Sequence, residues 1–267
     1  GMNQILYGAT GIAGPPAGAF LLGVLPMQGV LAVDIITALI AIGCLLPLFI
    51  PEPARSASTG KVSVFAEIAG GFRYIWAWRG LTLIIGLYAL ITLFLYPPYI
   101  LMPILVTEHL GGDVLKLGWL QSAFGLGMIA GGIALGVWGG FKRRIITAIM
   151  GVILSGIATL GLGFTTLSLF LLGVGANFLV GFGLSMADGP IMATLQSMVA
   201  KDIQGRIFSL LGSISAAMTP IGLAFAGPLA DAIGIRTLFL IAGAATIIIG
   251  LVSFFIPPLM NLEKRPT

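Results

Sequence analysis

Charge is what this chain has least of. Asp, Glu, Lys and Arg together supply 8% of its 267 residues, while 58% are hydrophobic. An ordinary soluble domain is about 25% charged. So little charge cannot coat a soluble globule of this length. The mean hydropathy of +1.11 likewise excludes a disordered chain. Cysteine is nearly absent too. Cys44 stands alone, so there is no disulfide framework, and with His109 as the single histidine there is no set from which a zinc cluster could be assembled. No Ser-His or Cys-His pair, GxSxG elbow or GxxxxGK(S/T) phosphate loop is present. Neither an enzyme nor an ATP-driven machine is expected, and no cofactor or metal is required. A chain this poor in charge is suited to lipid.

What is present is a series of long uncharged runs. Residues 1–33, 35–51, 81–107, 117–141, 145–187, 207–230 and 237–262 contain no Asp, Glu, Lys or Arg. A membrane-crossing helix needs roughly 20 apolar residues. Counting 145–187 as two helices joined near Gly163–Ser168 predicts about eight transmembrane helices, near 5–25, 30–50, 80–106, 115–138, 145–164, 167–190, 207–230 and 236–257. Strands are excluded because the runs are long and show no sustained alternation. The predicted fold class is an all-α, polytopic membrane protein.

The cations orient it. Arg55, Lys61, Arg73, Arg79, Lys142, Arg143, Arg144, Lys201, Arg206, Lys264 and Arg265 fall on one side of eight spans, and only Lys116 and Arg236 on the other. The positive-inside rule then predicts a multi-pass protein of the cell (inner) membrane with both termini in the cytoplasm. These loops account for the basic pI of about 9.5. No nucleic acid is expected as a partner.

Residues 51–60 (PEPARSASTG) read as a linker, and 61–79 (KVSVFAEIAGGFRYIWAWR) carry Phe65, Ile68, Phe72 and Ile75 at helical spacing, ending in Trp76, Trp78 and Arg79. That stripe suits an amphipathic helix in the cytoplasmic membrane interface; a solvated loop is the plainer alternative. The chain also repeats itself. Pro15, Gly29 and Phe49-Ile50-Pro51 recur as Pro220, Gly234 and Phe255-Ile256-Pro257. Parallel repeats of helical halves build one large class of transporter.

Three stretches resemble the major facilitator superfamily, specifically its drug–proton antiporter branch of macrolide-efflux and enterobactin-exporter-like permeases. Gly14-Pro15-Pro16-Ala17-Gly18 is similar to the GPxxG core of the antiporter motif. Glu67–Arg73 (EIAGGFR) resembles that branch's lead-in to the second half. Asp188-Gly189-Pro190 through Gln196, followed by Gln204-Gly205-Arg206-Ile207-Phe208, resembles its tenth-helix exit and eleventh-helix entry. The resemblance implies twelve helices in a complete member. This chain would then lack the first four, with 1–50 the last two helices of one six-helix half, 51–79 the linker and 80–267 the complete second half. The missing N-terminal helices would complete the bundle. It implies proton-coupled efflux of amphipathic small molecules, drug-, macrolide- or siderophore-like, by alternating access, with lipid, substrate and protons as partners. The alternative is a non-transporting fragment or helix scaffold derived from such a transporter. The chain departs from the family at Gly139, where a carboxylate is usual before Phe141-Lys142-Arg143-Arg144.

Certain residues stand out against so apolar a background. Gly132, Gly136 and Gly140 form one row at four-residue steps, and Gly173, Asn177, Gly181, Ser185 and Gly189 another; small rows allow close helix packing and equally let helices slide. In the Gly14, Pro15, Gly18 motif the prolines interrupt the backbone ladder, and resemblance implies that the kink seals the central cavity. Asp188, with Arg206 nearby in sequence, is the candidate proton-titrating or gating group, or else an interfacial carboxylate paired with basic residues. Gln121 and Asn177 are mid-helix amides that suit either a substrate pathway or helix–helix hydrogen bonds. Tyr96 and Tyr99 flank Pro97-Pro98, where a broken helix beside a cavity is predicted; an outer aromatic belt is the competing account.

Overall fold

The computed structural model describes residues 14, 21, 25, 27–46, 78–111, 114–199 and 201–261, without the side chains of Met27, Leu45, Arg79, His109, Val114, Lys201, Asp202 and Arg206. The helices are α1 (Met27–Leu45), α2 (Arg79–Ile100), α3 (Met102–His109), α4 (Val114–Trp138), α5 (Arg144–Gly163), α6 (Phe170–Met198), α7 (Lys201–Ile233), α8 (Ile235–Phe254) and α9 (Pro257–Met260). No strand occurs among the described residues. Among the described residues, six segments are long and apolar enough to cross a membrane: Gly80–Glu108, Leu115–Trp138, Arg144–Gly163, Phe170–Met198, Ile203–Ile233 and Ile235–Phe254. They match the six expected spans from 80 onward. The expected helix at 30–50 overlaps α1, whereas 5–25 and the linker with its interfacial helix fall almost wholly outside the described residues.

Hydroxyl side chains show how these helices tolerate polar residues in lipid. Thr92 donates to Tyr88 O (2.8 Å), Ser155 to Gly151 O (2.9 Å), Thr159 to Ser155 O (2.8 Å), Thr246 to Ala242 O (2.8 Å) and Ser253 to Ile249 O (2.7 Å). Each folds back on the carbonyl one turn earlier, so its donor is satisfied within its own helix.

Helix ends differ from the charge-based boundaries. α6 continues to Met198, well past the expected end at 190, and α7 already begins at Lys201. Charges mark the edge of the hydrocarbon, and a helix can run on through the interface. The α6–α7 turn is therefore abrupt. Gln204 Nε2 clamps it by donating to Gln196 O (2.7 Å) and Val199 O (2.9 Å). Gly139 and Gly140, at φ +77° and +78°, turn the chain out of α4, a left-handed conformation that glycine adopts without a Cβ clash. Gly234 does the same at φ +85° between α7 and α8. Its repeat counterpart Gly29 lies inside α1, so the repeat does not hold at that turn.

Packing runs in the order α4–α6–α5–α8, with α2 and α7 on the far side of α8. Two apolar clusters sit at opposite ends. One gathers Leu81, Ile84, Ile149, Leu195, Ile207 and Leu259 at the end bearing Lys142–Arg144. The other gathers Leu105, Leu120, Leu162, Val180, Ile235 and Phe239 at the far end. Between them is a waist of glycine. A Cβ on Gly127 would run into the Phe178 carbonyl, one on Gly181 into the Phe124 carbonyl, one on Gly151 into Gly183 O, and one on Gly243 into Gly156 O. With no hydrophobic drive between helices in lipid, such backbone approach supplies the packing. The row Gly173, Asn177, Gly181, Ser185, Gly189 includes the α6 face toward α4. The row Gly132, Gly136, Gly140 is not its counterpart: Gly136 faces open space and Gly140 lies beyond the helix. Gly127 and Gly131 meet α6 instead. Two four-residue glycine rows, Gly127 with Gly131 and Gly132 with Gly136, coexist on α4, and only the neighbour selects between them.

Candidate functional site

α2 is not broken at Pro97-Pro98. Both prolines lie inside it, and the interruption comes at Leu101, between α2 and α3. Proline lacks an N–H, so Leu93 O and Phe94 O lose their usual donors, yet the helix continues one more turn before giving way. Leu101 N–H donates to Pro97 O (3.1 Å), and α3 restarts with Pro103 in its first turn. The defect is thus displaced from the prolines by about one turn.

This last turn of α2 positions Tyr99. Its hydroxyl donates to Asn177 Oδ1 of α6 (3.0 Å), and Asn177 Nδ2 donates to Leu120 O of α4 (2.6 Å). The Tyr99 ring lies 5.9 Å from Phe124 and 6.3 Å from Phe239, the latter edge-on. Asn177 is 1% exposed. One amide and one phenol therefore join α2, α4 and α6 against an aromatic wall that includes α8. A buried amide without partners is costly; here the donor and acceptor sides of Asn177 are each engaged.

The other sequence-predicted residues are placed apart from this junction. Gln121 follows the acceptor Leu120 but is exposed on α4, and Tyr96 is exposed one turn before Tyr99. Asp188 is half-buried on α6, near the end bearing Lys142–Arg144. One turn earlier, the Ser185 hydroxyl is fully buried without a hydrogen-bond partner, against the close approach of Gly131. One turn later in the same helix, Ala193 O accepts from Arg144 Nη1 (3.3 Å). Gly14 is helical and exposed. Pro15, Gly18 and the Arg206 side chain lie outside the described residues.

Sequence reasoning missed two features. Gln204 was visible only as part of a motif, without its role as a clamp. Lys116 and Arg236 are both anchored: Lys116 Nζ donates to Leu110 O (2.7 Å) and Arg236 Nη2 to Thr165 O (2.5 Å). Their helical-terminus positions were the available signal, since side chains there reach loop carbonyls. The cavity expected beside Pro97-Pro98 has a counterpart in an apolar cavity of about 250 Å³ between α2, α7 and α8, bordered by Phe94, Pro97, Gly222, Phe225 and Ile241. It is smaller than the roughly 300–1,000 Å³ of a site that encloses a drug-sized ligand.

A family model described as Major Facilitator Superfamily matches residues 84–267. Macrolide efflux protein A of Streptococcus pyogenes is 26% identical over 266 residues, covering 99% of this chain and 65% of that protein. A protein of the same name from Enterococcus faecalis is 26% identical over 84% of this chain and 69% of its own length. Multidrug efflux pump Tap of Mycolicibacterium fortuitum is 29% identical, covering 94% of this chain and 61% of the pump. The chain thus spans less than two thirds of the Streptococcus and Mycolicibacterium proteins.

Proposed function

Because the chain belongs to the Major Facilitator Superfamily, we propose that it forms the greater part of a proton-coupled exporter of amphipathic small molecules working by alternating access. Residues 80–267 make one six-helix half, 1–50 the end of the other, and 51–79 the cytoplasmic linker. Both termini face the cytoplasm of the cell membrane. Similarity to named macrolide and multidrug efflux proteins along nearly the whole chain supports this reading. The observation that carries it is Asp188, a carboxylate within the span Phe170–Met198. An ionisable group within a span is costly to keep and for that reason marks a functional candidate. Asp188 is the proton-titrating or gating group, Tyr99 and Asn177 steady the far end of the pathway, and Arg206 follows at the entry to α7.

The test is substrate flux in proteoliposomes with an enclosed pH-sensitive dye. A macrolide added against a proton gradient should move protons, and Asp188→Asn should abolish that signal while membrane insertion is retained. Undiminished flux in Asp188→Asn defeats the coupling assignment. Absence of any flux favours the second reading, a non-transporting fragment or helix scaffold derived from such a transporter.

A further inference from the structure

The turn between α4 and α5 carries chemistry that the transport reading leaves unused. Lys142, Arg143 and Arg144 are consecutive and exposed. Trp138 and Phe141 stand beside them, 53% and 45% exposed, with ring centroids 4.8 Å apart and planes at 78°. The turn is held in one shape: Phe141 N–H donates to Thr147 Oγ1 (2.9 Å), and Arg144 reaches Ala193 O on α6. No Asp or Glu occurs anywhere from residue 114 to residue 187. Neither α4, α5 nor the turn between them therefore offers a carboxylate to these cations. On α6, which packs against both helices, the acidic residue is Asp188, half-buried.

We infer that this turn binds the headgroup phosphate of an anionic phospholipid. Lys142 and Arg143 supply the counter-charge, and the Trp138–Phe141 pair lies against the glycerol and upper acyl region. The location fits, because tryptophan and basic residues concentrate where hydrocarbon meets headgroups, and anionic lipids attract basic segments there. The aromatic pair distinguishes a lipid from a free phosphate ion. An exposed apolar wall beside the cations gives a lipid a second contact, which an inorganic anion cannot use. The inference needs only that the chain crosses a bilayer and does not depend on transport.

The experiment titrates the full chain in mixed micelles with phosphatidylglycerol or phosphatidylcholine carrying brominated acyl chains. Trp138 quenching is read as the difference from Trp138→Phe. Phosphatidylglycerol should quench at roughly tenfold lower concentration, as expected for two cations near a charged interface. Lys142→Gln/Arg143→Gln should bring the two lipids within about twofold of each other. Lys142→Arg/Arg143→Lys should keep the preference, which separates lost charge from lost fold. Excess inorganic phosphate should leave quenching unchanged. Equal quenching by both lipids in the unmodified chain, a preference that survives removal of both charges, or displacement of the lipid by phosphate would each overturn the assignment.

Discussion

At the scale of single residues, hydrogen bonds and glycines act in opposite ways. Asn177 joins three helices through two bonds. In lipid such bonds are worth about 0.6 kcal/mol on average and up to about 1.7. Asn177→Leu should therefore cost on the order of 1–2 kcal/mol in a detergent unfolding titration. Tyr99→Phe should cost less, and a double-mutant cycle should show positive coupling between them. Additivity would mean that the 3.0 Å contact contributes nothing. Glycine acts by absence. Gly181→Ala drives a methyl into the Phe124 carbonyl, a backbone atom that cannot rotate away, and should destabilise by about 1–3 kcal/mol or more. Gly136→Ala, with open space around it, should be neutral or gain about 0.5–1 kcal/mol from helix propensity. Unfolding midpoints for the pair test the waist directly, and equal effects would refute it. The sequence row containing Gly136 looked as promising as its neighbours. Nothing along one strand of residues reveals which row faces a partner.

At the scale of elements, the helices are unequally committed. In α5, 61% of the most apolar stretch is buried, against 17% in α7. α7 meets α2 where Ile207 and Leu211 join the cluster of Leu81 and Ile84, and again where Gly222 lies against Pro97 and the Leu93 carbonyl. That carbonyl has lost its helical donor to Pro97, so a close glycine backbone shields a polar atom that would otherwise face lipid. Gly222→Leu should wedge α7 from α2. Hydrogen–deuterium exchange in micelles should then accelerate in α7 and the end of α2, while α5 and the α4–α6 pair keep their protection. Uniform acceleration would mean that the six spans unfold as one unit. The proline pair illustrates a limited reading from sequence. A break is expected at the prolines, but the helix runs through Pro97 and Pro98, held by the Leu101 N–H bond to Pro97 O, and ends at Leu101 just ahead of Pro103.

At the scale of the whole molecule, the exposed surface remains apolar along the spans. Val137 is 86% exposed, Leu171 82% and Phe225 72%. In water this would drive association; in a bilayer it is the expected lipid-facing surface. The purified chain should be monodisperse in detergent or nanodiscs and aggregate when detergent is withdrawn, as read by light scattering. A stable detergent-free monomer would contradict the membrane placement. Between the two apolar clusters, glycines at Gly127, Gly151, Gly181 and Gly243 let helix backbones approach closely.

Charge-free run lengths alone were enough to establish an all-α membrane protein and to locate six spans, because hydrocarbon rejects charge and open backbone bonds wherever the chain crosses it. That constraint is local, so it can be read residue by residue. Which glycines touch, that Tyr99 meets Asn177 across 78 positions, and that Gln204 and Arg236 close turns are not local properties. They depend on which helix lies beside which, and in lipid one apolar face resembles another until backbones approach closely enough for a single methyl group to matter.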